Sequence, residues 1–484
     1  MKHFSLILLL LSLTANIAAA ADQPNILWIF VEDQSDHYGP FGETLAKTPN
    51  VDKLAVEGAK FTRAFVTAPV CSPSRSALVT GMYQTTIGAH NHRSGRGAIK
   101  INLPADVRLV SEIMREAGYY VTNGRFNDDE SLAKAKTDYN FEYPSDVYDG
   151  SDWSGRAADQ PFFAQIQLRG GKHRDQRTLK HRETVHTNGI DPKKVKLPPY
   201  YPDHADLRQD WALYLESIEQ VDWEVGRIMA RLEREGVADD TIVFFLTDHG
   251  ISHARGKQFL TEEGIKVPLI VRAPGRIEPG LVREDLVAHI DVTASSLYFA
   301  GIKIPERMEG RTLFGPDAKP RDYVVSARDR CDETVEHIRS VRTKRYKYIR
   351  NYLHQRPHLQ PNRYKDGKAI IKRMHALHEA GELSPEIDQM FYRPRPYEEL
   401  YDLDGDPWQM NNLTSGADAK DKLAELAGIL DRWIQQTGDK GRVLETEAAY
   451  DADMAVYSTG QKGPQGEILR RNIAQMKAWA AGGK

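Results

Sequence analysis

Two almost continuous apolar runs, each followed by acidic residues, constrain the fold of this chain more than any other feature. Residues 25–31 are followed directly by Glu32 and Asp33, and residues 241–246 are followed one position later by Asp248. A run without polar alternation is typical of a strand buried on both faces of a parallel sheet. Because ligands of open α/β sheets bind at the carboxyl ends of strands, we expect these carboxylates to converge.

The rest of the chain repeats this alternation of strands and helices. Apolar residues spaced by three and four positions from Trp211 to Leu232 predict a long amphipathic helix that ends before Gly236. Further strand candidates are residues 119–122, 162–168, 267–271 and 323–326. This order predicts an α/β fold with a mostly parallel central sheet sandwiched by helices.

Three parts can be distinguished along the chain. Residues 1–20 have the charged start, apolar centre and small-residue exit of a secretory signal. Residues 21–350 carry the α/β pattern and form the larger predicted domain. Beyond about Tyr348 the pattern becomes polar and bears His, Arg and Pro, so residues 351–484, with a helix near residues 420–437, are predicted to form a smaller C-terminal α+β domain.

The N-terminal segment also indicates where the protein is found. Its apolar run is shorter than the ~20 residues that a bilayer requires and is interrupted by polar residues, so a membrane anchor is the weaker alternative. We expect an exported protein, periplasmic or secreted, with no membrane span after signal removal. The formal net charge of −3 does not indicate a nucleic-acid partner.

A short motif supplies the candidate nucleophile. Cys71 stands two residues before Pro73 and four before Arg75, and the following helical pattern ends at Gly81. Cys71 is therefore predicted at the N-terminus of a helix, where free amide groups favour a bound oxyanion. The alternative is a buried small side chain in an ordinary strand-to-helix turn.

The strand-end carboxylates raise the question of their counter-charge. Glu32, Asp33 and Asp248 would place up to three negative charges in one cleft, which requires a cation or protonation. A metal ion is the simpler answer, and separate surface carboxylates are the alternative.

The motif resembles the signature of the sulfatase family, Cys-x-Pro-Ser-Arg followed by Leu-x-Thr-Gly. The chain matches that signature at Cys71, Pro73, Ser74, Arg75, Leu78, Thr80 and Gly81. Similar segments occur at residues 24–27, 48–55, 58–62, 247–250, 267–270 and 399–402. The resemblance implies an alkaline-phosphatase-like fold and covers most of the chain.

The resemblance also implies two cofactors. A formylglycine-generating maturation enzyme would oxidise Cys71 to formylglycine, and a divalent ion, usually calcium, would be held by Glu32, Asp33, Cys71, Asp248 and His249. Many relatives have Asp in place of Glu32 and Asn in place of His249. Because imidazole nitrogen is more characteristic of softer ions than of calcium, manganese and magnesium stay open.

Further catalytic roles follow from the same resemblance. Arg75 would hold the formylglycine oxygen, Lys257 would neutralise sulfate charge, and His173 would protonate the departing alkoxide. The family's Lys-x-His pair matches only at Lys136, because Asp138 stands where the histidine is expected.

Two other residues are candidates for contacts with the substrate. His90 or the nearby His92 would supply the imidazole missing from the Lys-x-His pair. Arg328, which follows a predicted strand, would bind sugar hydroxyls or a carboxylate, with an inter-domain ion pair as the alternative.

These observations predict a sulfatase that hydrolyses sulfate esters, or N-sulfates, of a sulfated carbohydrate. A phosphodiester or phosphonate monoester hydrolase of the same superfamily is a second hypothesis, which the Asp248–His249 pair keeps open. A noncatalytic protein that binds sulfated glycans is a third, because the Lys-x-His histidine is missing.

Overall fold

The computed structural model describes residues 23–175 and 178–483. The predicted signal segment, residues 1–20, lies outside the described residues. No helix within the described ranges has the length and hydropathy of a bilayer span.

A central sheet organises the larger part of the molecule. Its strands are β1 (Asn25–Val31), β2 (Ala59–Phe65), β3 (Tyr120–Phe126), β4 (Leu132–Lys134), β5 (Phe162–Leu168), β6 (Thr241–Thr247), β7 (Lys266–Arg272) and β8 (Leu281–Ala288). Their spatial order is β4-β3-β5-β1-β6-β7-β2-β8. The pairs β3–β5, β5–β1, β1–β6 and β2–β8 are parallel, whereas β4 and β7 run antiparallel to their neighbours.

Helices cover both faces of this sheet, so the predicted α/β fold is confirmed. They are α1 (Pro49–Glu57), α2 (Cys71–Thr80), α3 (Val110–Glu116), α4 (Thr178–Thr184), α5 (Ala205–Arg234), α6 (Glu262–Ile265) and α7 (Asp291–Phe299). The long helix predicted between the two apolar runs is α5. The antiparallel direction of β7 could not be foreseen, because an apolar run shows that a strand exists and not which way it runs.

Strand β1 shows why its sequence is apolar without interruption. Ile26, Trp28 and Phe30 pack in one core with α2, α3 and α7. Leu27 and Ile29 alternate with them and pack on the opposite face against α5. Both faces of the strand are therefore buried, as the pattern predicts.

A smaller antiparallel sheet follows, with the order β12-β11-β10-β9. It comprises β9 (Val324–Arg328), β10 (Ile338–Arg342), β11 (Tyr346–Asn351) and β12 (Glu398–Asp402). The strand candidate at residues 323–326 thus belongs to this sheet and not to the central one. The sheet lies on both sides of the boundary predicted at residue 350, because a strand pattern does not reveal its pairing partners.

The remaining helices follow β11 in the chain. They are α8 (Arg363–Asp366), α9 (Ala369–Glu379), α10 (Pro385–Asp388), α11 (Lys420–Thr437), α12 (Glu447–Ser458) and α13 (Gly463–Ala481). Of these, α11 packs on β10 and β11 of the smaller sheet, whereas α9 packs on α5 of the larger part. Helix α11 occupies the residues predicted for it and ends at Gly438, whose φ of 62° is the left-handed conformation that glycine adopts without strain. Helices α8 to α10 lie in the segment between β11 and β12.

Candidate active site

The carboxyl ends of β1 and β6 bring the two acidic segments together. The strands are parallel neighbours in register, with Val31 opposite Thr247. The Asp33 amide donates a hydrogen bond of 3.0 Å to Oδ1 of Asp248, and Asp33 has a φ of 55° that turns the chain sharply after β1. Both carboxylates are buried.

Cys71, the first residue of α2, meets these strand ends. Its Sγ lies 3.2 Å from Nε2 of His249 and 3.2 Å from Nζ of Lys257. The Ser74 hydroxyl donates 2.6 Å to the backbone carbonyl of Asp248 and ties α2 to the end of β6. Although burial opposes ionisation of the thiol, the charge of Lys257 contributes most to lowering the pKa of Cys71.

Four buried residues form a group that fits a divalent cation. One ligand atom from each of Asp33, Cys71, Asp248 and His249 lies within 4.8 Å of the others. Nδ1 of His249 lies 2.8 Å from the carbonyl oxygen of Gly250, which can only accept a hydrogen bond. A proton on Nδ1 leaves the Nε2 lone pair of the neutral ring directed into the group, the arrangement usual for metal-binding histidines. The carboxylate oxygens and this nitrogen are donors that suit a divalent cation, whose charge would add to that of Lys257 beside Asp33 and of Arg75 beside Asp248.

Glu32, expected among the cation ligands, lies outside this group. Its carboxylate accepts a hydrogen bond of 2.8 Å from Arg75 and forms ion pairs with Lys136 and Lys172. Although burial opposes ionisation, Lys172, Lys136 and Arg75 lower the pKa of Glu32 to about 2. Arg75 also lies 3.5 Å from Oδ2 of Asp248. Three cationic side chains thus neutralise the Glu32 carboxylate. Arg75 also connects Glu32 to the cation site, the group formed by Asp33, Cys71, Asp248 and His249.

Lys257 contacts both the nucleophile and Asp33, one of the candidate cation ligands. Its ammonium group lies 3.3 Å from Oδ1 of Asp33 as well as 3.2 Å from the Cys71 sulfur. Lys136 lies at the far side of Glu32 and 3.6 Å from Asp138, the residue in place of the family's histidine. Both lysines are therefore near the site, but among residues 23–175 and 178–483 the Lys136 ammonium forms ion pairs only with Glu32 and Asp138.

The side chain that reaches the carboxylates of the site is that of Lys172 and not that of its neighbour His173. The Lys172 ammonium contacts Glu32, whereas Nε2 of His173 lies 3.9 Å from Glu224 of α5, on the side away from Glu32. Burial and then the charge of Arg169 lower the pKa of His173 to about 4. The prediction of His173 as the proton donor finds no support in this geometry, because Gly170–Asp175 form a 3-10 helix, in which consecutive side chains point in different directions.

Of the two histidines proposed to replace the missing imidazole, only His92 contacts the nucleophile's helix. Nδ1 of His92 lies 2.7 Å from the Ser72 hydroxyl, next to Cys71, and its Nε2 lies 3.6 Å from Asp332. His90 lies beside Arg339 and Asp439 instead, and burial together with Arg339 lowers the pKa of His90 to about 4.

Arg328 has a positioning role in place of the predicted substrate contact. It is 2 % exposed, and its guanidinium donates to the backbone carbonyl of Gln258. Gln258 directly follows Lys257, so Arg328 braces the loop that carries that lysine.

Sequence reasoning missed two residues of the site. Lys172 could have been found beside His173, because both follow strand β5. Tyr364 had no such signal: it belongs to α8, and its hydroxyl donates 2.9 Å to Oδ2 of Asp33, which lies 331 positions away in the chain.

Comparisons with known proteins identify the family of the chain. The sulfatase family model matches residues 24–302, and the model of the N-sulphoglucosamine sulphohydrolase C-terminal region matches residues 249–369. An ulvan-active sulfatase of Formosa agariphila is 34% identical over 472 residues, which cover 88% of this chain and 77% of that protein. Human N-sulphoglucosamine sulphohydrolase is 24% identical over 467 residues, covering 86% of this chain and 90% of that protein.

Solved structures share the fold. A structure described as a complex with its substrate D-glucosamine-2-N,6-O-disulfate aligns with a TM-score of 0.60 and 17% identity, covering 87% of this chain and 99% of that chain. A phosphonate monoester hydrolase of Agrobacterium radiobacter aligns with a TM-score of 0.61 and 18% identity, covering 86% of this chain and 96% of that chain.

Proposed function

The chain belongs to the sulfatase family and is a sulfuric ester hydrolase, and from that premise we propose that it removes sulfate from a sulfated carbohydrate. One observation carries the proposal: Cys71 of the family signature lies 3.2 Å from Lys257 and 3.2 Å from His249, beside two buried carboxylates. Two relatives support a saccharide substrate that carries an O-sulfate or an N-sulfate: one is described as an ulvan-active sulfatase and the other as an N-sulphoglucosamine sulphohydrolase. We further propose export to the periplasm or beyond, on the basis of residues 1–20.

The proposed chemistry depends on two additions to the chain. Conversion of Cys71 to formylglycine, whose hydrate is a geminal diol, would supply at position 71 the nucleophilic hydroxyl for transfer of the sulfuryl group from the substrate. Asp33, Asp248, His249 and residue 71 would hold a divalent cation, which would supply positive charge for the sulfuryl oxygens. We propose calcium, and the nitrogen of His249 is the reason to test manganese beside it.

The chain's own cations prepare the site for an anion. Lys257 places its charge between residue 71 and Asp33. Lys172, whose pKa is raised by Glu32 and Asp33 against the effect of burial, stays protonated at neutral pH and is suited to neutralise a sulfate oxygen. Arg75, on α2, contacts both Glu32 and Asp248.

A comparison of ester types tests the proposal. Purified protein is expected to release sulfate from an aryl sulfate and from at least one defined sulfated saccharide faster than it hydrolyses matched phosphate and phosphonate esters. The Cys71→Ala variant should lose this activity, while Cys331→Ala, which removes the other thiol, should retain the aldehyde at position 71. Faster phosphonate hydrolysis would favour the second hypothesis, and saccharide binding without sulfate release by converted protein would favour the noncatalytic one.

A further inference from the structure

A cavity of about 880 Å³ lies between α5, α8 and α9, in a part of the molecule to which the family signature assigns no residue. Five cationic side chains line it: Arg174, Arg363, Lys368, Lys372 and Arg373. Its acidic lining residues are Asp206 and Asp210. The excess of cations makes it suited to a ligand with negative charge.

The two acidic side chains are already occupied by other partners. The Asp206 carboxylate accepts a hydrogen bond of 2.7 Å from Arg373. The Asp210 carboxylate lies 2.5 Å from Nε2 of His253 and 3.7 Å from Arg174. Each carboxylate therefore already has a cationic partner other than Arg363 and Lys372.

Two cations of the lining have no carboxylate partner within the described part of the chain. The Arg363 guanidinium donates to the Tyr457 hydroxyl at 2.9 Å and to Oε1 of Gln461 at 3.1 Å, both uncharged acceptors, and its buried Nε has no acceptor. Lys372 is exposed on α9 and forms no ion pair with residues 23–175 or 178–483. Arg363 is thus a fixed positive charge, and Lys372 is a mobile one.

Tyr364 connects this cavity to the active site. The residue lines the cavity, and its hydroxyl donates 2.9 Å to Oδ2 of Asp33. The same ring lies 4.8 Å from the Lys257 ammonium on one side and 4.4 Å from that of Lys368 on the other. An anion in the cavity would therefore lie one aromatic side chain away from the residues that surround Cys71.

From this arrangement we propose that the cavity binds a second anionic group of the substrate, a carboxylate or sulfate on the saccharide unit next to the one that carries the scissile sulfate. Arg363 and Lys372 contact this second anionic group. Their positive charges favour the binding of saccharides with several negative charges over those with one. The inference rests on the proposed function. It adds that the substrate carries a negative charge on the saccharide unit next to the one that is desulfated.

Binding to inactive protein tests the inference separately from turnover. The Cys71→Ala protein would be titrated calorimetrically with three disaccharides that share one sulfated unit and differ in the neighbour: neutral hexose, uronic acid or sulfated hexose. At least one anionic neighbour should bind more tightly than the neutral one. In the Cys71→Ala background, Lys372→Met should weaken that binding about fivefold, as expected for an exposed contact. Arg363→Gln in the same background should weaken it about tenfold, as expected for a more fixed contact. Added salt should reduce the preference.

Lys420→Met is the matched control, because Lys420 is an exposed lysine of α11 that does not line the cavity. The control should leave all three affinities unchanged, and neither cavity variant should alter the affinity for the neutral disaccharide. Equal binding of the three disaccharides, or an anionic preference that survives both substitutions, would overturn the inference. Failure of the parent protein to release sulfate from an aryl sulfate would instead overturn the proposed function.

Discussion

Lys172 and His173 are neighbours in the chain, yet only one of them reaches the carboxylates at the end of β1. Lys172 pairs with Glu32, and His173 lies against Glu224 of α5. Side-chain direction in a turn is set by the backbone of both flanking loops, which a one-dimensional pattern does not contain. The sequence therefore locates the tripeptide Gly-Lys-His at the site but does not show which of its side chains enters it.

Replacing Lys172 with methionine tests this assignment. The substitution keeps most of the aliphatic stem and removes the ammonium group that contacts Glu32. We expect kcat/KM for an aryl sulfate to fall about 100-fold, the size typical of losing one preorganised charge contact in an active site. His173→Gln is the control and should stay within about threefold of the parent. An equal loss in both variants would contradict the assignment.

Glu224 gives a residue-scale prediction about pH. Burial, followed by the nearby charge of Asp128, raises the pKa of this carboxyl from 4.5 to about 7. The folded protein then holds a proton that the unfolded chain has lost, so this group's contribution to stability falls as pH rises from about 4.5 to about 7. Glu224→Gln removes the effect and should raise the melting temperature at pH 8 more than at pH 5, with a free-energy gain of at most about 3 kcal/mol.

Glu233→Gln is the matched control for Glu224, because Glu233 lies on the exposed side of the same helix. Melting temperatures of both variants and the parent, measured at the two pH values, give the comparison. A pH-independent change in Glu224→Gln, or the same change in the control, would contradict the prediction.

At the scale of elements, the close contact between the loops after β1 and β5 sets the geometry of the site. The Gly171 amide donates 2.9 Å to the carbonyl of Glu32. A Cβ at position 171 would lie 2.1 Å from the Asp33 carbonyl oxygen, which is closer than such atoms approach. Only glycine lets the two loops pack so that Lys172 reaches Glu32.

Gly171→Ala is therefore expected to push the loops apart. Both the Lys172–Glu32 pair and the orientation of Asp33 depend on this contact, so we expect kcat for an aryl sulfate to fall at least tenfold together with a lower melting temperature. Gly405→Ala serves as the control, since no heavy atom lies within 4 Å of a Cβ at that position. Unchanged activity in Gly171→Ala would show that the loops tolerate separation.

The same scale shows how much of the fold could be predicted from the sequence. The hydrophobic patterns of β1, β6, α5 and α11 can be recognised directly in the sequence. The direction of β7 and the membership of β9 in the smaller sheet depend on pairing between distant segments, and no local pattern encodes either. The second apolar run thus predicted both the end of a strand and the carboxylate that follows it. Residues 323–326 predicted a strand but not the sheet to which it belongs.

At the scale of the whole molecule, the segment between β11 and β12 returns to the larger part and completes the site. It carries Tyr364, which contacts Asp33, and Arg363 and Lys372 of the cavity. The nucleophile and the strand-end carboxylates could be predicted from motifs. Tyr364 could not, because its hydrogen bond to Asp33 spans 331 positions of the chain.

A buried ion pair fixes that segment to the smaller sheet. Arg395 donates 2.6 Å to Glu336, and neither side chain is exposed. Arg395→Met would leave the Glu336 carboxylate buried without its cation, which costs about 3–5 kcal/mol. We expect a clearly lower melting temperature and weaker turnover, because the segment also carries Tyr364. Arg345→Met, at an ion pair whose arginine side chain is 54% exposed, is the control and should change stability little.

The most direct test of the account relates the chemical state of residue 71 to turnover. Protein would be prepared with and without a formylglycine-generating enzyme, and mass spectrometry would give the fraction of Cys71 converted to the aldehyde in each preparation. Sulfate release from a sulfated saccharide, assayed with calcium and after chelation, should rise in proportion to that fraction and fall when the cation is removed. Full activity in preparations that retain an unconverted Cys71 would contradict the account.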